Sequence, residues 1–266
     1  MSIFSAEALN HKHVLITGAT GGIGYETAKL LVKMGAKVTI TGRNREKLNE
    51  LETELFLLTE EDKVFTKEAD LTNEESRKEL ISGAKEKLGF INGLVNSSGI
   101  AGTEVMEELD EQFIENMMNV NFKSTFFLTQ SIYSDMIKQQ EGDIVNVASL
   151  SGLRGTYGNS AYAASKFAVV GWSQCMAVEA IAHNIRVNAV CPGYVETDMA
   201  KMLIIKNAEN SGNTYKEAYA NAERSIPSGR LTKPDEVANS IAFLLTDAAK
   251  NIVGESLKIS GGSVMR

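Results

Sequence analysis

Residues 162 to 166 read Tyr-Ala-Ala-Ser-Lys, a phenol and an ammonium about one helical turn apart and so on one helix face. An ammonium beside a phenol stabilises the phenolate. The pair therefore predicts a tyrosine whose pKa is drawn down from about 10 toward neutrality and which trades protons near pH 7. The same spacing also arises by chance, with a partly buried Tyr162 beside a solvated Lys166, so other residues must decide.

A second chemically suggestive stretch is Thr17-Gly18-Ala19-Thr20-Gly21-Gly22-Ile23-Gly24. It follows a short β-branched run and opens an amphipathic one. Glycine serves where the backbone takes positive φ or approaches a ligand closely, and a helix beginning at Gly22 aims its free N–H groups and positive end at an anion. A pyrophosphate fits. The Gly-x-x-x-Gly-x-Gly spacing is not the Gly-x-Gly-x-x-Gly fingerprint, and no Gly-Lys-Ser/Thr follows to make a P-loop. The next β-branched run ends at Gly42-Arg43-Asn44. An acid there would bind a ribose 2′-hydroxyl and select NAD, whereas Gly42 leaves room and the Arg43 guanidinium suits a 2′-phosphate. NADP(H) is the expected cofactor, with NAD the alternative if Arg43 is only a solvated loop residue.

These residues need a scaffold, and the chain supplies an alternating one. Strand-like runs fall near His13–Thr17, Lys37–Thr41, Val64–Thr66, Gly93–Asn96, Ile144–Ser149, Arg186–Val190 and Ser256–Ile259. Between them lie helical patterns over Ile23–Met34, Arg45–Leu58, Glu74–Leu88, Glu111–Gln139 and Ser160–His183. Such alternation predicts an α/β fold: a doubly wound, mostly parallel sheet with helices on both faces. No linker interrupts it, so residues 1–266 read as one domain. Asp198–Ile226 is helix-prone without a strand, the pattern expected of a mobile substrate lid or of a peripheral helical pair.

Composition excludes several classes. A chain with 43% apolar residues, 23% charged residues and a net charge of -7 is an ordinary globular protein, ill suited to nucleic acid. No apolar run is long enough to span a membrane, and the first residues lack a signal-peptide pattern, so a cytoplasmic location is expected. Cys175 and Cys191 are the two cysteines; neither a disulfide framework nor a metal site is indicated. Asn96-Ser97-Ser98 matches a glycosylation acceptor in form only.

Taken together, Thr17-Gly-x-x-x-Gly-x-Gly24, Asn96-Ser-Ser-Gly99, Ser149, Tyr162-x-x-x-Lys166 and Pro192-Gly193 resemble the short-chain dehydrogenase/reductases in order and separation, over nearly the whole chain. The resemblance implies a Rossmann-type sheet of about seven strands, a nicotinamide cofactor and a catalytic set of Asn121, Ser149, Tyr162 and Lys166. In that set Tyr162 passes a proton to or from the substrate oxygen and Ser149 hydrogen-bonds that oxygen. Lys166 holds the cofactor ribose and lowers the Tyr162 pKa, and Asn121 holds a water linking Lys166 to solvent. It further implies cofactor contacts from Gly18, Thr20, Gly22, Ile23, Gly24, Arg43, Asp70, Leu71, Asn96, Gly99, Pro192, Gly193, Val195 and Thr197. Asp70 would lie near the adenine and Asn96 would steady the sheet, although Asn-Ser-Ser-Gly stands where the family usually has Asn-Asn-Ala-Gly.

The Val-Asn-Ala-Val-Cys-Pro-Gly-Tyr-Val-Glu-Thr-Asp-Met stretch and the Ile-Ser-Gly-Gly ending look most like the 3-oxoacyl-[acyl-carrier-protein] reductases. The implied substrate is a 3-oxoacyl thioester or related ketone, in a homotetramer. The places where an acidic carrier protein would dock by resemblance read Gln139–Asp143 and Ala182–Asn184 and lack the expected arginines, so electrostatic steering of acyl carrier protein there would be poor. Leu150, Leu153, Arg154, Tyr157, Met199, Met202 and Leu203 are the expected pocket wall. The alternatives are an NAD-dependent dehydrogenase of a 3-hydroxy acid or small diol, and a non-catalytic nucleotide sensor.

Overall fold

The computed structural model describes residues 3–265. Seven strands form one parallel sheet: β1 (His13–Thr17), β2 (Lys37–Gly42), β3 (Val64–Glu68), β4 (Gly93–Asn96), β5 (Gly142–Val147), β6 (Ile185–Pro192) and β7 (Ser256–Ile259). Their order is β3-β2-β1-β4-β5-β6-β7. The chain winds outward one way from β1 and then returns to lay β4 on the other side of it. Ligands bind at the carboxyl ends of the strands beside such a reversal.

Side chains alternate between the two faces of a strand, and here both faces are covered. Val14 and Ile16 point into one core with α1 (Gly22–Lys33), α2 (Arg45–Phe56) and the C-terminal helix; Leu15 points into the other with α3 (Glu74–Leu88) and two longer helices. The near-continuous burial of β1, β5 and β6 follows from this sandwiching.

Boundaries differ from the sequence expectation at points that matter for chemistry. Glu111–Gln139 is not one helix. It is α4 (Glu111–Met118), a π-turn over Asn119–Lys123, and α5 (Ser124–Gln139), with the Ser124 N–H reaching back to the Asn119 carbonyl. β5 stops at Val147, so Ser149 lies beyond the strand and opens a 3-10 turn, its Oγ accepting from the Ser151 N–H at 3.1 Å. α6 (Ser160–Ala180) ends in a 3-10 turn, Ile181–His183. The Asp198–Ile226 stretch folds as α7 (Asp198–Ser211) and α8 (Tyr215–Arg224), which share a small apolar cluster of Ile204, Ala208, Ala218, Ile226 and Leu231. A last helix, α9 (Pro234–Leu245), lies outside the expected stretches and packs on α1.

At the opposite end of the sheet His13 is buried, with Nδ1 3.0 Å from the Gly89 carbonyl and Nε2 2.8 Å from Thr39 Oγ1. A carbonyl only accepts, so Nδ1 carries the proton. Burial pushes the imidazole pKa down to about 4. Among the described residues, no helix is long and apolar enough to cross a membrane.

Candidate active site

The glycine-rich turn closes tightly between β1 and β4. Gly18 has φ +63, and a Cβ there would stand 2.6 Å from the Ser97 carbonyl oxygen, so both conformation and space require glycine. A Cβ on Gly24 would strike the Gly18 carbonyl. Thr17 Oγ1 accepts from the Ser97 and Ser98 N–H groups at 3.0 and 3.1 Å, pinning the two strand ends together. These bonds use backbone N–H groups of the Asn-Ser-Ser-Gly variant and do not depend on its side chains.

The first turn of α1 has no side-chain cap at Gly21. Its free N–H groups open on a cleft of about 1180 Å³ that Thr20, Gly22 and Ile23 line. Thr197, the N-cap of α7, faces it so closely that a Cβ on Gly22 would stand 2.8 Å from Thr197 Cγ2. Two helix N-termini thus meet at one space, and the uncapped one, of α1, offers its N–H groups to a diphosphate. The residues present fit a nicotinamide dinucleotide.

Ser149, Tyr162 and Lys166 meet on the cleft wall. Lys166 is buried, 5% exposed, and donates from Nζ to the Val147 carbonyl at 3.0 Å; its Nζ lies 5.8 Å from the centre of the Tyr162 ring. Burial pulls the ammonium pKa down to about 8. The expected lowering of the Tyr162 pKa is not found. Burial raises it, outweighing the opposing hydrogen bond with Ser149. The ammonium is turned to a carbonyl, and the phenol retains its proton. Behind this group lies Cys191, buried, its thiol pushed up to about 11.

Asn121 joins the cluster by a route invisible in sequence. The π-turn carries it inward to 1% exposure. Its Oδ1 accepts from the Ile100 N–H at 2.8 Å, and Nδ2 donates to the Ile100 carbonyl and Ser165 Oγ, both at 3.0 Å, with Met117 Sδ at 3.1 Å. The side-chain amide is therefore held by protein groups and fixes Ile100 against Ser165. Gly99 sits against it: a Cβ would lie 3.2 Å from Asn121 Oδ1 and 3.5 Å from Lys166 Nζ.

The remaining expected contacts divide into three groups. Gly99, Pro192, Gly193, Val195 and Thr197 line the cleft. Asn96 lies behind the wall, donating from Nδ2 to Thr129 Oγ1 at 2.9 Å and Asn146 Oδ1 at 2.8 Å, a polar row that ties β4 to β5 and α5. Arg43, Asp70 and Leu71 lie away from that wall. Asp70 is exposed and closes a turn on the Thr72 N–H at 3.0 Å, which chiefly lowers its pKa with the Arg43 charge adding, while Leu71 is buried in the core.

Of the expected pocket wall, Leu150, Arg154, Tyr157, Met199 and Leu203 line the cleft. Leu153 packs instead beside Val169 and Val170, and Met202 points to solvent, 70% exposed. Sequence reasoning missed Ile100–Thr103, Tyr215 and Tyr219, which also line it. The two tyrosines stand one turn apart on α8, the same spacing signal that exposed Tyr162 and Lys166.

The short chain dehydrogenase family matches residues 12–208. A 3-oxoacyl-[acyl-carrier-protein] reductase, FabG, of Thermotoga maritima is 38% identical over 97% of this chain and 99% of its own length. An acetoacetyl-CoA reductase of an Acinetobacter species is 33% identical over 96% of this chain and 98% of its own. Among solved structures, a variant of actinorhodin polyketide ketoreductase with NADPH aligns with a TM-score of 0.92 and 31% identity, covering 96% of this chain and 98% of that one. Levodione reductase aligns with a TM-score of 0.91 and 29% identity at the same coverage. With these similarities and this cleft, the chain belongs to the short chain dehydrogenase family and is an NAD(P)-dependent oxidoreductase of the carbonyl–alcohol couple.

Proposed function

We propose that the protein reduces a ketone to a secondary alcohol with NADPH, the substrate being a 3-oxoacyl thioester or a related ketone. The observation that carries this reading is the meeting of Ser149, a protonated Tyr162 and a buried Lys166 on one wall of the dinucleotide-sized cleft. NADPH, when bound, supplies the hydride. Tyr162 gives its proton to the substrate oxygen as general acid, and Ser149 donates a hydrogen bond to that oxygen as charge develops on it. Lys166 faces the phenol that becomes phenolate and compensates its charge, and its N–H groups beyond the Val147 bond are available to the cofactor ribose. Asn121 keeps the wall in place through Ile100. Arg43, directly after β2, is the residue assigned to the 2′-phosphate.

The similar relatives named as acting on 3-oxoacyl and acetoacetyl thioesters support the substrate class, as do the apolar Leu150, Met199 and Leu203. A coenzyme A thioester or a free ketone suits this chain better than a carrier-bound one. The two places where a carrier protein would dock come together through Gln140 Nε2 and His183 Nδ1, 3.1 Å apart, and bring an amide and an imidazole rather than arginines. The reading includes a cytoplasmic homotetramer. In support, Ala164, Phe167, Gly171, Cys175 and Val178 form an exposed, uncharged stripe along α6, a surface suited to self-association; light scattering at a single-chain mass would refute it.

Titration with NADPH and NADH by fluorescence, followed by assay of the preferred one with acetoacetyl-CoA and a panel of small ketones, tests the whole. NADPH preference with turnover of the thioester is expected. NADH preference with turnover of small hydroxy acids alone would replace this reading with a catabolic dehydrogenase.

A further inference from the structure

The lid helix α7 is tied to the far wall of the cleft. Lys206 donates from Nζ to the Thr103 carbonyl at 2.6 Å, with the Glu104 carboxylate 3.8 Å away. A second tie, Lys47 to Asp198 at 3.0 Å, joins the start of α7 to α2, but its side chains are 48% and 84% exposed and such a pair contributes little. Lys206 is itself 43% exposed, but its acceptor is a backbone carbonyl, so only one side chain has to be ordered to make the bond.

The segment that Lys206 grips has no helix or strand of its own, so its position depends on ties from outside. Two others lead to Tyr162. Asn121 holds the Ile100 N–H and carbonyl and passes on to Ser165, whose hydroxyl donates to the Tyr162 carbonyl at 2.7 Å. The Glu104 N–H donates to the Gly158 carbonyl at 2.8 Å, in the loop that leads into α6. Ile100 to Thr103 also line the cleft. One short segment thus joins the lid to the residues around the phenol.

We propose that Lys206 is a positioning residue for carbonyl reduction: by gripping Thr103 it couples the seating of α7 to the alignment of the 100–104 wall against Tyr162. This rests on the reading of the cleft as a ketone site. Lys206→Met keeps the length of the side chain and removes its donors. Hydrogen exchange followed by mass spectrometry should show faster exchange in residues 100–104 and 198–211 and no change in β5. The ketone KM should rise about tenfold, kcat should stay within about twofold and NADPH affinity should hold, as expected for one lost charged hydrogen bond. Lys206→Arg should restore KM.

Unchanged exchange in residues 100–104 would overturn the proposal whatever the substrate. So would an unchanged KM in the variant when the parent protein turns the ketone over. Equal losses of NADPH affinity and thermal stability that arginine does not rescue would make Lys206 merely structural and would also overturn it. A parent protein inactive with every ketone would sink the functional reading instead, and the exchange result would still decide the tie.

Discussion

Lys166 stands one turn beyond Tyr162 on α6, its Nζ 5.8 Å from the ring centre, yet gives its hydrogen bond to the Val147 carbonyl. The phenol keeps its proton, its pKa raised by burial. A proton donor for reduction is in place before any hydride moves.

Tyr162→Phe should therefore remove the donor and little else. Ketone reduction is expected to fall by roughly a thousandfold, the worth of a general acid, while the NADPH dissociation constant stays within about twofold. Stopped-flow or steady-state assays beside a fluorescence titration give both numbers. Activity retained within about tenfold would assign the proton to another group.

The Lys166 pKa of about 8 sets a pH dependence. Below that value the side chain is an ammonium able to offset the forming phenolate; above it the charge is gone. The rate of reduction at saturating NADPH should be level below pH ~8 and decline above it. A profile level to about pH 10 would show that charge on Lys166 does not assist the step.

Cofactor choice turns on Arg43. In Arg43→Asp a carboxylate replaces the guanidinium, repelling a 2′-phosphate and accepting from a 2′-hydroxyl. NADPH affinity should drop by roughly a hundredfold and NADH affinity should rise. Equal effects on both cofactors, read by titration, would remove Arg43 from the phosphate site.

Stability at acid pH should report His13. Its folded pKa of about 4 lies below the ordinary 6.5, so between those values the unfolded chain binds a proton that the native one does not. The native state is fully favoured above pH 6.5 and loses roughly 3 kcal/mol as pH falls to about 4. Urea unfolding at several pH values should show this fall, and His13→Gln should reduce it.

Much of this was legible from residue types and spacing. The central strands stand out as short, mostly β-branched or apolar runs because both faces of β1, β5 and β6 are covered, whereas the edge strands β3 and β7 are more polar and half-exposed. Gly18 and Gly24 are explained by contacts that the turn itself creates. The direction of the Tyr162 shift was not legible, because spacing reveals a neighbouring charge but not how deeply a phenol is buried or where an ammonium points. Nor was the grip of Lys206 on Thr103, which joins residues far apart in the chain and exists only once α7 has folded beside that segment. The break at Asn121 was hidden for a different reason: apolar residues continue through it at near-helical spacing.

That break has a consequence for chain length. Each residue advances an α-helix by about 100°, and the π-turn over Asn119–Lys123 holds one residue more than a regular turn would. A deletion of any one of the five would allow a straight, unbroken helix. It would leave Leu128, Ile132 and Met136 facing the core but swing Asn121 away from Ile100. Insertions and deletions should therefore be purged here during divergence even where individual side chains drift, and the number of residues carries the information that no single residue type announces.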